Sequence, residues 1–173
     1  MIELVDYDPA WPARFADEAR ALGRALGERA LRIEHVGSTA VPGLVAKPVV
    51  DIQVSVASLD DPAAFDDALG AAGYMHVVHE PAFDRIYPFF AKPFAWPRTH
   101  HLHLCVAGSN EEARHLAFRD HLRKHPEVAC EYVRLKQQLA ALHGGYDEAA
   151  RERYSLAKTD FVAAIERRAL GRA

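Results

Sequence analysis

The stretch Ile33–Val56, IEHVGSTAVPGLVAKPVVDIQVSV, decides the fold. A short β-prone run stops at Gly37-Ser38, a turn-rich segment follows through Pro42, Gly43 and Pro48, and a second apolar run begins at Val49. That second run alternates. Ile52, Val54 and Val56 share one side and Asp51, Gln53 and Ser55 the other, because successive strand side chains point to opposite faces. Two strands joined by a small polar loop, with Lys47 and Asp51 nearby, suit a phosphate or nucleotide. Glycine lets backbone N–H groups approach an anion, and a lysine neutralises it. Gly37 equally reads as a turn that needs glycine, and Lys47, held extended by Pro48, equally reads as an exposed lysine.

Outward from this pair, the period of the apolar residues assigns the rest. Asp8-Pro9 reads as N-cap and first helical residue of a helix through Trp11, Phe15, Ala19, Leu22 and Leu26. Ala30–Val36 is the first core strand. Asp61-Pro62 opens a second helix, closed by Gly70 and Gly73. Tyr74–His79 and Arg85–Phe90 read as antiparallel strands. His101–Val106 is another strand, with Leu102, Leu104 and Val106 opposite His101, His103 and Cys105. The intervening AKPFAWPRTH, with two prolines, is a loop over the sheet edge. From Ser109, which with Glu112 forms a capping box, the pattern turns helical. One helix runs to Pro126, a second carries Val128, Tyr132, Leu135 and Leu139, and a last carries Tyr154, Ala157, Phe161 and Ile165.

The expected fold class is α+β: a mixed sheet with helices on one face and a C-terminal helical segment. A single domain spans 1–173, with a sheet core over 1–107 and a helical annex over 108–173. The sheet's other face presents Asp51, Gln53, His101 and His103. A face that is polar on two separate strands is either solvated or the floor of a cleft.

At Glu34-His35-Val36-Gly37-Ser38-Thr39, Val41-Pro42-Gly43-Leu44, Lys47-Pro48 and Asp51-Ile52 the chain resembles the GrpB family, also called UPF0157. The likeness continues at His100-His101-Leu102-His103, at Phe118 to Arg123, at Tyr132 to Lys136, and at Tyr154, Lys158 and Phe161. The resemblance implies a nucleotidyltransferase-like fold and an association with dephospho-CoA kinase, to which the family is fused in some bacteria. It also implies phosphate or nucleotide binding at Gly37, Ser38, Thr39, Lys47, Arg119 and Lys158. Catalytic roles fall to Asp51, Gln53 and His103.

Nucleotidyltransferases hold two divalent ions with an Asp-x-Asp pair and a later acid. Here Gln53 stands at the second acid position, and His101 and His103 stand in place of the third. The implied cofactor is one divalent cation, magnesium or manganese, on Asp51, His101 and His103; the imidazoles also admit zinc. The expected activity is transfer of a nucleotidyl or phosphoryl group to a small acceptor. The alternative is a non-catalytic binding or accessory module for a nucleotide or a coenzyme A-related compound. Arg119 and Arg123, one turn apart, either reach phosphate or form salt bridges to acids such as Asp120. Strand alternation places one of Glu34 and His35 on the polar face.

The bulk numbers set limits. Net charge is −3 over 173 residues, so no global basic field would hold DNA or RNA. The expected partner is therefore a phosphorylated small molecule. Two cysteines without metal spacing suit a reduced cytoplasmic setting. The N-terminus lacks the charge and apolar pattern of a signal peptide. No run reaches the roughly 18 apolar residues of a membrane span.

Overall fold

A computed structural model describes residues 2–78, 82, 85–145 and 147–172. Among the described residues five strands form one mixed sheet: β1 (Arg32–Val36), β2 (Val50–Val56), β3 (Met75–His76), β4 (Phe89–Lys92) and β5 (His100–Val106). Their spatial order is β1-β2-β5-β4-β3. The central pair, β2 and β5, is parallel, and the other pairings are antiparallel. In that central pair Asp51 stands opposite His101 and Gln53 opposite His103. The alternation read in the sequence thus becomes one continuous polar patch across two neighbouring strands.

The apolar face explains the first half of the chain. Helix α1 (Trp11–Leu26) and helix α2 (Pro62–Ala71) lay Trp11, Leu22, Leu26, Phe65 and Leu69 onto Ile52, Val54, Leu102 and Leu104. Burying each large apolar side chain contributes on the order of 1.5–3 kcal/mol. Asp61 caps α2, accepting from the Ala64 amide at 3.2 Å. Helix α1 starts two residues later than Asp8-Pro9 suggests. Asp8 accepts from the Ala10 amide at 2.8 Å, which makes a turn ahead of the helix, and Pro12 takes the first-turn position.

The C-terminal segment forms four helices: α3 (Asn110–Lys124), α4 (Pro126–Leu142), α5 (Glu148–Leu156) and α6 (Thr159–Ala169). Ser109 caps α3 as expected, accepting from the Glu112 amide at 3.2 Å. Glu112 does not complete a capping box; its carboxylate accepts from the Gly108 amide at 2.7 Å and pairs with Arg32. The annex has its own apolar cluster of Phe118, Leu122, Val128, Tyr132 and Ile165. Val41 and Leu44, from the loop after β1, insert into that cluster and join the annex to the sheet.

Three readings of the sequence shift. The two strands expected at Tyr74–His79 and Arg85–Phe90 are shorter and displaced, at Met75–His76 and Phe89–Lys92; His79 lies outside the described residues. The single last helix is two, broken at Ala157-Lys158. The polar face is neither solvated throughout nor open throughout: α3 crosses it at Gln53, which is 0% exposed. Among the described residues no helix is long and apolar enough to cross a membrane.

Candidate functional site

Where α3 leaves the polar face uncovered, a cavity of about 610 Å³ opens over Asp51. The sheet supplies Asp51, His101 and His103; the β1–β2 loop supplies Gly37, Ser38, Thr39 and Lys47. The annex closes the far side with Tyr132 and Lys136 of α4 and with Arg151, Tyr154 and Lys158 around the α5–α6 break. The β4–β5 loop brings Trp96 and Arg98. A second groove, of about 790 Å³, is bounded by the β1–β2 loop and the annex; its walls include Val41, Leu44, Leu122 and Val133, and it does not touch Asp51.

Asp51 is the anionic centre of the cavity. His101 Nδ1 lies 3.2 Å from its Oδ1. Burial raises the carboxyl's pKa, but the His101 hydrogen bond and the electrostatic pull of His101, His103 and Lys47 outweigh it and hold the group at about 2. His101 Nε2 is buried and has no hydrogen-bond partner among the described residues. His103 is turned into a ring stack with Tyr87, centroids 4.9 Å apart, and His115, 5.8 Å apart.

Three of the chain's five lysines converge on this carboxylate: Lys47, Lys136 and Lys158. Lys136 is 2% exposed; its Nζ donates to Ser38 Oγ at 3.3 Å and to the Val45 carbonyl. Burial and the nearby Lys47 lower its pKa to about 8 against the pull of Asp51. Lys158 sits at the helix break, its Nζ 4.3 Å from the Tyr154 ring centroid. Burial, with the charges of Lys47 and Lys136, brings it to about 7. Lys47 Nζ lies 5.5 Å from the Tyr154 ring and 5.9 Å from that of Trp96. Trp96 also stacks against Arg98 and Arg151, at 5.0 and 4.3 Å.

The expected site residues therefore divide. Gly37, Ser38, Thr39, Lys47, Asp51, His101, His103 and Lys158 share the cavity. Thr39 is almost wholly buried, and its Oγ1 meets His35 Nε2 at 3.0 Å. Gln53 and Arg119 do not line the cavity. Gln53 donates to the Glu112 carbonyl under α3, at 3.3 Å. Arg119 donates to Glu34 Oε2 and Asp120 Oδ1, both at 2.8 Å, and to the His35 carbonyl at 3.0 Å. Glu34 is thus the polar-face member of its pair, while His35 stacks on Phe15 of α1 at 4.8 Å. Arg123 likewise donates to the Ala40 carbonyl, at 2.9 and 2.7 Å. Arg119 fastens β1 to the annex, and Arg123 and Lys136 fasten the β1–β2 loop to it.

The donor set does not fit the implied divalent cation. Among the described residues no three His, Cys, Asp or Glu side chains are grouped to hold a metal ion. His103 is engaged in its ring stack, Gln53 is turned away, and one carboxylate stands among three ammonium groups. The sequence assigned no site role to Lys136, which entered only through the family likeness at Tyr132 to Lys136, nor to Tyr87, Trp96, Arg98 and Arg151. Lysine scarcity was a usable signal for Lys136, one helical turn from the apolar-face residue Tyr132. The two arginines carried no such signal.

A family model described as GrpB protein matches residues 1–168. The chain is 42% identical to a UPF0157 protein of Pseudomonas aeruginosa over 98% of its own length and 68% of that protein's. It is 38% identical to the UPF0157 protein YqkA of Bacillus subtilis, over 82% of this chain and 40% of YqkA. It is 33% identical to a dephospho-CoA kinase of Mycolicibacterium paratuberculosis, over 79% of this chain and 39% of that one. The crystal structure of the conserved protein GrpB from Enterococcus faecalis superposes with a TM-score of 0.83 at 34% identity, covering 98% of both chains. The chain belongs to the GrpB family.

Proposed function

We propose that the cavity over Asp51 binds a nucleotide or a related phosphorylated small molecule and transfers its nucleotidyl or phosphoryl group to a small acceptor. The observation that carries this reading is the gathering of Lys47, Lys136 and Lys158 in the cavity that holds Asp51, with Lys136 donating to Ser38. Ammonium groups held in a half-buried cleft attract phosphate oxygens more strongly than they would in water. Asp51 accepts from His101 Nδ1 and thereby leaves Nε2 as the ring's acceptor. In this reading His101 takes the proton of the acceptor hydroxyl and Asp51 stabilises the imidazolium that results. The lysines orient the phosphates and stabilise charge on the leaving oxygen.

Incubation with each nucleoside triphosphate, followed by detection of pyrophosphate release or self-labelling, tests this reading. Turnover that disappears in Asp51→Asn supports it.

A second reading is a binding or accessory module without turnover, for a nucleotide or a coenzyme A-related compound. It is favoured by Gln53, which stands where a second acid would hold metal and is buried away from the cavity. The match to part of a dephospho-CoA kinase fits an accessory role. Nucleotide binding with no product formed under any nucleotide and divalent-ion combination would select it.

A further inference from the structure

Lys136 is buried in the wall of the cleft at 2% exposure. Its Nζ meets two neutral oxygens, Ser38 Oγ at 3.3 Å and the Val45 carbonyl, with the Tyr132 ring centroid 4.7 Å away. Fastening the β1–β2 loop does not require a lysine. A neutral amide donor would hold the loop without the cost of burying a charge. What an amine adds is a proton that can leave. Burial brings its pKa to about 8, so near neutral pH a usable fraction is free base, where an ordinary lysine at 10.5 is almost wholly charged.

The free amine has two N–H groups and one lone pair. An N–H serves the Val45 carbonyl, and the lone pair is left for the Ser38 hydroxyl. Ser38 follows the Gly37 turn, is half-buried, and lines the same cavity as Asp51. The neighbouring hydroxyl, Thr39, is 1% exposed and turned to His35, so access belongs to Ser38. A serine hydroxyl is a weak nucleophile until an adjacent base takes its proton, and a desolvated lysine is one of the bases that does so. The cleft thus holds two bases, His101 beside Asp51 and Lys136 beside Ser38. A double displacement, in which two hydroxyls are deprotonated in turn, uses two.

Resting on the reading of this cleft as a nucleotidyl- or phosphoryl-transfer site, we infer that Ser38 is a nucleophile with Lys136 as its base, and that the transferred group passes through a covalent bond to Ser38 Oγ. In the first half, Oγ attacks the transferred phosphorus and its proton moves to Lys136 Nζ. The bond from phosphorus to the leaving oxygen breaks, which expels pyrophosphate when a nucleotidyl group moves and a nucleoside diphosphate when a phosphoryl group moves. Asp51, which favours the charged form of Lys136, stabilises the ammonium that results. In the second half, the acceptor oxygen attacks the same phosphorus while His101 takes its proton. Ser38 Oγ departs and recovers its proton from Lys136. Lys136 handles the proton, and Lys47 and Lys158 are left to the phosphates.

The test incubates the full chain, without acceptor, with ATP, GTP, CTP and UTP labelled at the α- or γ-phosphorus, with and without magnesium. The chain is then digested and the labelled peptide identified by mass. The expected result is an acid-stable label on Ser38 and release of the leaving group in an amount equal to the label. Ser38→Ala abolishes the label at an unchanged urea midpoint. Labelling of the wild type at saturating nucleotide rises severalfold from pH 6.5 to 8.5 as Lys136 becomes free base, and Lys136→Arg, which keeps the charge and cannot give up the proton, labels at least about a hundredfold more slowly. The wild-type label and its pH profile decide the matter even where Lys136→Arg does not fold. An acid-labile label on a lysine, or a Ser38 label formed at the same rate at every pH, overturns the inference. Leaving group released with no label on the chain overturns it too and leaves the transfer reading standing. Neither label nor released leaving group with any nucleotide overturns both.

Discussion

Gly37 lies so close to Asp51 that a Cβ on the glycine would stand 2.4 Å from the carboxylate oxygen Oδ2. The backbone there has φ 69° and ψ −166°, a region open almost solely to glycine. The glycine is required by its neighbour's carboxylate as well as by its own backbone. Gly37→Ala should destabilise the fold by about 2–4 kcal/mol, combining backbone strain with displacement of Asp51. A fall in the urea midpoint at unchanged slope checks this. Wild-type stability would return Gly37 to the role of ligand contact alone.

Ligand affinity should fall as pH rises. Lys158 is held near 7 and Lys136 near 8, by burial and by neighbouring cations. Below pH 7 both are charged and attract an anion; each loses its proton as pH passes through its value. A bound triphosphate raises both values, so binding takes up protons between about pH 7 and 9. Calorimetry in buffers of different ionisation enthalpy reads the uptake directly. Affinity constant from pH 6.5 to 9 would contradict it.

The same lysine costs stability. Lys158 sits near 7 in the folded chain against an ordinary 10.5, so between those values the unfolded chain binds more protons. Its penalty is complete below pH 7 and fades as pH approaches 10.5. Lys158→Met should therefore raise the Tm at pH 6.5 by roughly 2–4 °C, and by less at pH 9. Scanning calorimetry at the two pH values distinguishes this from a pH-independent packing gain.

Restoring an acid at Gln53 should not rebuild a metal site. The side chain is 0% exposed, and its amide faces the Glu112 carbonyl. Gln53→Glu would turn a donor into an anion against that carbonyl and cost at least ~2 kcal/mol at pH 7. The loss should shrink at pH 5 as the new acid is protonated. Chemical denaturation at both pH values measures it.

Arg119 should behave as a clamp. It joins Glu34 of β1, the His35 carbonyl and Asp120. Arg119→Ala should destabilise by about 1–3 kcal/mol. Arg119→Lys should not restore this, since an ammonium cannot reproduce the guanidinium fork. Nucleotide affinity, measured well below the unfolding transition, should change less than threefold. A loss of about tenfold would make Arg119 a phosphate contact.

Local sequence determined the two-faced strands. The alternation in Val49–Val56 and His101–Val106 is enough to give the fold class, because burial of one sheet face imposes a period of two. It also placed Asp51, His101 and His103 on one side, since strand geometry leaves no other choice once the parallel register is set. The motif through Lys47 was equally legible, and the family match rests on it.

Tertiary structure decided which of those polar residues share a cavity. Gln53 and Asp51 are two residues apart on one strand, yet α3 covers one and leaves the other open. Arg119 carries the charge of a phosphate ligand but spends it on Glu34 and a backbone carbonyl. The lysine trio draws Lys136 and Lys158 from about 90 and 110 residues beyond Lys47. Secondary-structure periods report only neighbours within a turn or along a strand. What a side chain meets across the fold depends on how separate elements pack, and that is where the charge balance of this site is set.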